Sequence, residues 1–202
     1  MKRIASLLPV VLALALAASA QVGSFENKYN APEFSATFFG CAPGHMTKTC
    51  SDDSNVERTL FPVTDYSGNQ INQVRYTQKF LDNDASIIIA YIDFPRDSSF
   101  NLDTAIGGIL GAFSSAKLPS YGTSPRNVKE LYPRFDTTVS GIAARGAGWQ
   151  GMQVIDGDHP VTEYVRVFAK GNRLWDVILY CTNGVTCSDE DARTFFNSIV
   201  IK

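Results

Sequence analysis

Along residues 74–80, Val74, Tyr76 and Phe80 alternate with Arg75, Thr77 and Lys79. This is the period-two pattern of a strand with one buried face. Residues 34–39 alternate in the same way, whereas residues 86–92, Ser-Ile-Ile-Ile-Ala-Tyr-Ile, are apolar and β-branched on both faces. Such a run predicts a central strand covered on each side. Two more strands are predicted over residues 161–169 and 174–181, joined by the tight turn Lys170-Gly171-Asn172-Arg173. In the second, Trp175, Val177 and Leu179 share one face, and Ile178 and Tyr180 the other. From residue 139 to 155 the glycines 141, 146, 148 and 151 predict strand pieces interrupted by a bend or bulge.

Helical spacing takes over where cover is needed. Asn101 is a candidate N-cap, Asp103 sits in the first turn, and Leu102, Ala105, Ile106, Ile109, Leu110 and Phe113 form one apolar stripe. A second helix is expected after Ser188, with Asp189, Glu190 and Asp191 in its first turn and Ala192, Phe195, Phe196 and Ile199 buried. Residues 40–72 and 118–135 read as polar or proline-punctuated connections. These elements predict an α+β fold, an antiparallel β-sheet with helices on both faces.

The first twenty residues combine Lys2 and Arg3, an apolar run over residues 4–17, and Ala18-Ser19-Ala20. That is the composition of a secretory signal peptide removed before Gln21. The apolar run is shorter than the roughly 20 residues of a membrane span and contains Pro9. The expected organisation is a signal peptide over 1–20, a polar leader over 21–32 and one domain over 33–202, secreted or periplasmic, with no transmembrane segment in the mature protein. Removing Lys2 and Arg3 from 18 basic residues set against 20 acidic ones leaves a net charge of -4. An acid excess argues against nucleic acid as a partner, since phosphate recognition needs a basic surface.

Four cysteines remain after such a cleavage, Cys41, Cys50, Cys181 and Cys187. In an oxidising compartment an even number predicts disulfides, with three pairings possible. Cys41–Cys50 and Cys181–Cys187 are the expected pairs, because each closes a short polar loop. A metal site joining cysteines to His45 is not indicated, as no Cys-x-x-Cys spacing is present.

Candidate chemistry is sparse. No Gly-x-Ser-x-Gly occurs, and the only histidines are His45 and His159, so no nucleophile–base constellation is legible. Gly107-Gly108 lacks the pattern of a phosphate loop. Asp156, Asp158 and His159 offer two carboxylates and an imidazole within four residues, a weak candidate for a divalent cation. Asp-Gly-Asp-His-Pro is also the composition of a turn. Trp149, between Gly148 and Gln150, is expected to be partly exposed, and with Arg145 it is a possible ligand-facing residue; Trp175 is expected in the core. No catalytic residue and no cofactor is expected.

The order "PEFSATF", "IIIAYIDFP", "LDTAIGGIL", "YVRVFAKGNRLWDVILYC" and "DARTFFNSIVI" over residues 33–201 resembles the PsbP-like superfamily, which includes DcrB-type bacterial envelope lipoproteins. The resemblance implies an α/β/α sandwich and accessory, assembly or binding roles at membranes. The chain departs from that pattern in its cysteine-closed loops and in having no lipid-anchor cysteine. The resulting expectation is an exported, non-catalytic accessory or binding protein of the cell envelope, its partner an envelope protein or a small ligand. The alternatives are a hydrolase-type enzyme with a carboxylate site assembled from distant residues, and a divalent-metal-binding module.

Overall fold

The computed structural model describes residues 25–39, 56–64, 68–80, 85–95, 98–115, 125–154, 158–181 and 187–202. The described strands are β1 (Phe25–Asn30), β2 (Phe34–Phe39), β3 (Val56–Thr64), β4 (Gln70–Phe80), β5 (Ala85–Asp93), β6 (Arg126–Glu130), β7 (Phe135–Val139), β8 (Ile142–Val154), β9 (Asp158–Lys170), β10 (Arg173–Cys181) and β11 (Val200–Ile201); the helices are α1 (Leu102–Ser115) and α2 (Asp189–Ser198). An eight-stranded sheet runs in the order β3-β4-β5-β10-β9-β8-β6, with β7 also pairing β8, and a three-stranded sheet runs β1-β2-β11. The ladders are antiparallel.

The doubly apolar runs occupy the middle of the large sheet. One face presents Ile87 and Ile89 of β5, Trp175, Val177 and Leu179 of β10, and Tyr164 and Phe168 of β9. Onto it pack Phe34, Ala36 and Phe38 of the small sheet and Ala192, Phe195 and Phe196 of α2. The opposite face presents Trp149, Val161, Val165, Val167, Ile178 and Tyr180 beneath Ile106 and Phe113 of α1.

This arrangement corrects the expected α+β, PsbP-like α/β/α sandwich with helices on both faces. The fold is β-rich: the described residues hold eleven strands and two helices. A two-sided apolar strand demands cover without specifying its kind. Here Phe34, Ala36 and Phe38 alternate along a strand, so a second sheet covers much of the face where helix alone was expected, with α2 beside it. Strands also form where connections were expected. β1 arises within the segment read as a polar leader, β3 within the polar stretch before residue 72, and β6 within the long proline-punctuated segment.

Local signals set the helix starts. The Ser188 hydroxyl accepts from the Asp191 N–H at 3.1 Å while the Asp191 carboxylate accepts from the Ser188 N–H at 2.8 Å, a reciprocal capping box. Asn101 caps α1 by accepting from the Thr104 N–H at 3.0 Å. Glu33 clasps the small sheet to the large one, accepting from the hydroxyls of Tyr76 (2.9 Å) and Tyr91 (2.8 Å).

Candidate functional site

Beside α2, on the side of the small sheet, lies an open groove of about 580 Å³ lined by Tyr132, Phe135, Thr137, Arg166, Asp189 and Phe196 among others. That volume is in the range of small-molecule sites, about 300–1,000 Å³. Its floor is Arg166, 9% exposed. On β9 the side chains of Tyr164, Arg166 and Phe168 share a face by strand alternation, so a guanidinium emerges from an otherwise apolar row. Phe135 of β7 and Phe196 of α2 each take the guanidinium carbon over a ring face, at 4.6 and 4.4 Å. Such contacts offset part of the cost of burying a cation. One N–H donor, on Nη1, is spent on the carbonyl of Val165 at 2.9 Å. Burial pulls Arg166 below its ordinary value, opposed by Tyr132 and Asp189; a guanidinium nonetheless keeps its charge.

Two glycines make the approach possible. A Cβ on Gly146 would lie 2.6 Å from Cζ of Phe135 and 2.9 Å from Nη1 of Arg166, and one on Gly148 would lie 2.7 Å from the Tyr132 hydroxyl. The bare backbone of β8 lets Phe135 and Tyr132 lie close against the strand and frame the guanidinium. The opposite wall is α2, and the Cys181–Cys187 disulfide ties the end of β10 to the residue before its cap. Close by, the Tyr164 hydroxyl donates to the Cys187 carbonyl at 3.2 Å. Burial first, and then Asp189, raises the Tyr164 hydroxyl well above its ordinary value.

The residues singled out from sequence are placed elsewhere. Arg145 donates to Asp103 (3.0 Å) and Asp136 (2.8 Å), an ion network tying the start of α1 to β7 and β8. Trp149, expected partly exposed, is fully buried beneath α1 with its ring 6.2 Å from Phe113. Trp175 is in the core, as expected. Cys181 and Cys187 are bonded as expected, while Cys41 and Cys50 lie outside the described residues. Asp156 also lies outside them; the backbones of Asp158 and His159 pair with Val154 and Gln153 at the end of the β8–β9 ladder, and their side chains are outside the description. Among the described residues no group of three or more His, Cys, Asp or Glu is placed to hold a metal. No described helix is long and apolar enough to cross a membrane.

Two carboxylates on the α1 face were not anticipated. Glu163 is buried, and burial raises it to about 8; burial also raises Asp176, to about 6, against the pull of Arg75 and a 3.2 Å hydrogen bond from Gln73. Glu163 pairs with Tyr180 and Asp176 with Val167, a separation of about 13 Å along the ladder at the usual strand rise. Two carboxylates acting on one glycosidic bond stand closer, within about 9.5 Å. The overlooked signal for Glu163, Arg166 and Asp176 is shared: each is a charged residue inside a strand apolar on both faces.

No protein-family model, PsbP-like or other, matches the chain, and no curated protein matches it. Among solved structures it is similar to LpqN of Mycobacterium tuberculosis, a protein involved in cell envelope biogenesis, at 12% sequence identity and a TM-score of 0.38 over 73% of this chain and 85% of that one. A likeness that distant carries no inference about function.

Proposed function

We propose that this chain is an exported, non-catalytic binding protein of the cell envelope that holds a small ligand in the groove between β7 and α2. The carrying observation is a nearly buried guanidinium, framed by two aromatic rings, on the floor of an open groove. Apolar walls with a few convergent polar groups are the composition of a ligand site. Export is supported by the leader over residues 1–20 and by the Cys181–Cys187 bond, which persists in oxidising compartments.

Native mass spectrometry of the mature protein from its own envelope fraction, beside Asn197→Trp, tests the reading. Asn197 is an exposed groove residue whose enlargement fills the site without disturbing the core. Wild type is expected to carry a small-molecule load that Asn197→Trp lacks. Equal loads, or none on either, would contradict groove binding, and turnover of a hydrolase substrate abolished by one point substitution would contradict the non-catalytic assignment.

A further inference from the structure

Resting on the groove as the binding site, we infer that its ligand is a singly charged carboxylate carried on an apolar body, anchored by the guanidinium edge of Arg166. Arg134 pairs with Glu130, Arg145 with Asp103 and Asp136, Arg173 with Asp93, and Arg193 with Glu190. Around Arg166 no described carboxylate comes within ion-pair distance, although it is more deeply buried than any of them. Asp189 acts on the guanidinium at longer range, and a buried cation without a counter-ion in direct contact is costly, so an anion entering the groove completes its environment. Phe135 and Phe196 occupy ring-face positions on the guanidinium. The Val165 carbonyl and the Tyr132 hydroxyl take two of the guanidinium's five N–H donors, and those left over are offered to a planar carboxylate entering the groove.

The walls define the rest. Phe135, Phe196, Tyr132 and Pro133 supply apolar surface for a chain or ring behind the head group. Asp189 shares the groove, its carboxylate against the Tyr164 hydroxyl. The Asp189 carboxylate in the same groove disfavours a second negative charge on the ligand by like-charge repulsion.

Calorimetric titration of the mature protein with octanoate, octan-1-ol and octyltrimethylammonium at neutral pH tests this, since the three share a chain and differ in head group. Octanoate is expected to bind about 10- to 100-fold more tightly than octanol, the range for a hydrogen bond to a charged group, with the ammonium weakest. Arg166→Met should erase the preference, while Arg166→Lys, keeping charge but not the fork, should retain part of it. If Arg166→Met does not fold by circular dichroism, the lysine variant decides, and an undiminished octanoate preference there overturns the proposal. Equal affinity of wild type for octanoate and octanol also overturns it. In that case loss of both on Asn197→Trp leaves groove binding standing and removes only the anchor. Binding unaffected by Asn197→Trp removes both.

Discussion

Trp149 and Glu163 stand opposite each other across the β8–β9 ladder. The indole Nε1 and the carboxylate Oε1 are buried without a hydrogen-bond partner among the described residues. Tyr180 flanks Glu163 on the other side, and the Phe113 ring of α1 lies 6.2 Å from those of both Trp149 and Tyr180. A buried carboxyl with an oxygen left unpartnered loses hydration that is not made good there, so its charged form is penalised.

The sign of the resulting pH dependence follows. Glu163 holds its proton in the folded protein up to about 8, against an ordinary value of 4.5. As pH rises between those values the unfolded chain sheds a proton that the folded one keeps, so stability falls, by on the order of 4 kcal/mol in all. Glu163→Gln removes this contribution. Urea unfolding of both proteins across that range should show the variant's advantage growing from near zero at the acid end to its maximum near pH 8. Parallel curves would refute the assignment.

Glu33 behaves in the opposite sense. Burial works to raise its carboxyl, but the hydroxyls of Tyr91 and Tyr76 hold it below 4.5. Its contribution is therefore present above its unfolded value and lost as pH falls through the lowered folded one. Glu33→Gln is expected to be less stable than wild type at pH 7, with the gap closing on acidification below about pH 4. Amide exchange should be fastest in β1 and β2 of the variant, because the clasp between the sheets is weakened; uniform exchange would argue for a merely global effect.

Reducing the Cys181–Cys187 bond removes a short crosslink, costing about 2 kcal/mol in the chain-entropy view. Its location makes the effect uneven. The α2 N-terminus, with the Ser188–Asp191 box and the groove wall, should lose amide protection before β5 or β10. Simultaneous loss across all three would show that the bond does not position α2.

Gly146→Ala inserts a methyl group 2.6 Å from Cζ of Phe135 and 2.9 Å from Nη1 of Arg166. Overpacking of this kind typically costs about 1–3 kcal/mol. A lowered melting temperature with loss of groove-ligand affinity is expected. Gly107→Ala is the control, since a Cβ there meets nothing within 4 Å in an exposed helical position, and it should be neutral or slightly stabilising through helix propensity. Equal destabilisation by the two would sink the close-approach argument.

Local chemistry made much of the chain legible. The alternation in residues 174–181 assigned Trp175, Val177 and Leu179 to one core and Ile178 and Tyr180 to the other, as found. Asn101 and Ser188 are caps because a short polar side chain satisfies the first N–H groups of a helix wherever it sits, and Cys181 pairs with Cys187 across a short loop. Tertiary structure decided the rest. Period two says which residues share a face, but not which element from elsewhere will cover it, so β2 and its neighbours could take a place assigned to helix. The same limit hid the groove. Arg166 becomes a candidate anchor only when Phe135, thirty-one positions earlier, and Phe196, thirty positions later, close on it. Glu163 titrates unusually only because the folded protein buries it. Burial and electrostatic environment are sums over neighbours distant in sequence, and those neighbours exist only once the sheets have paired.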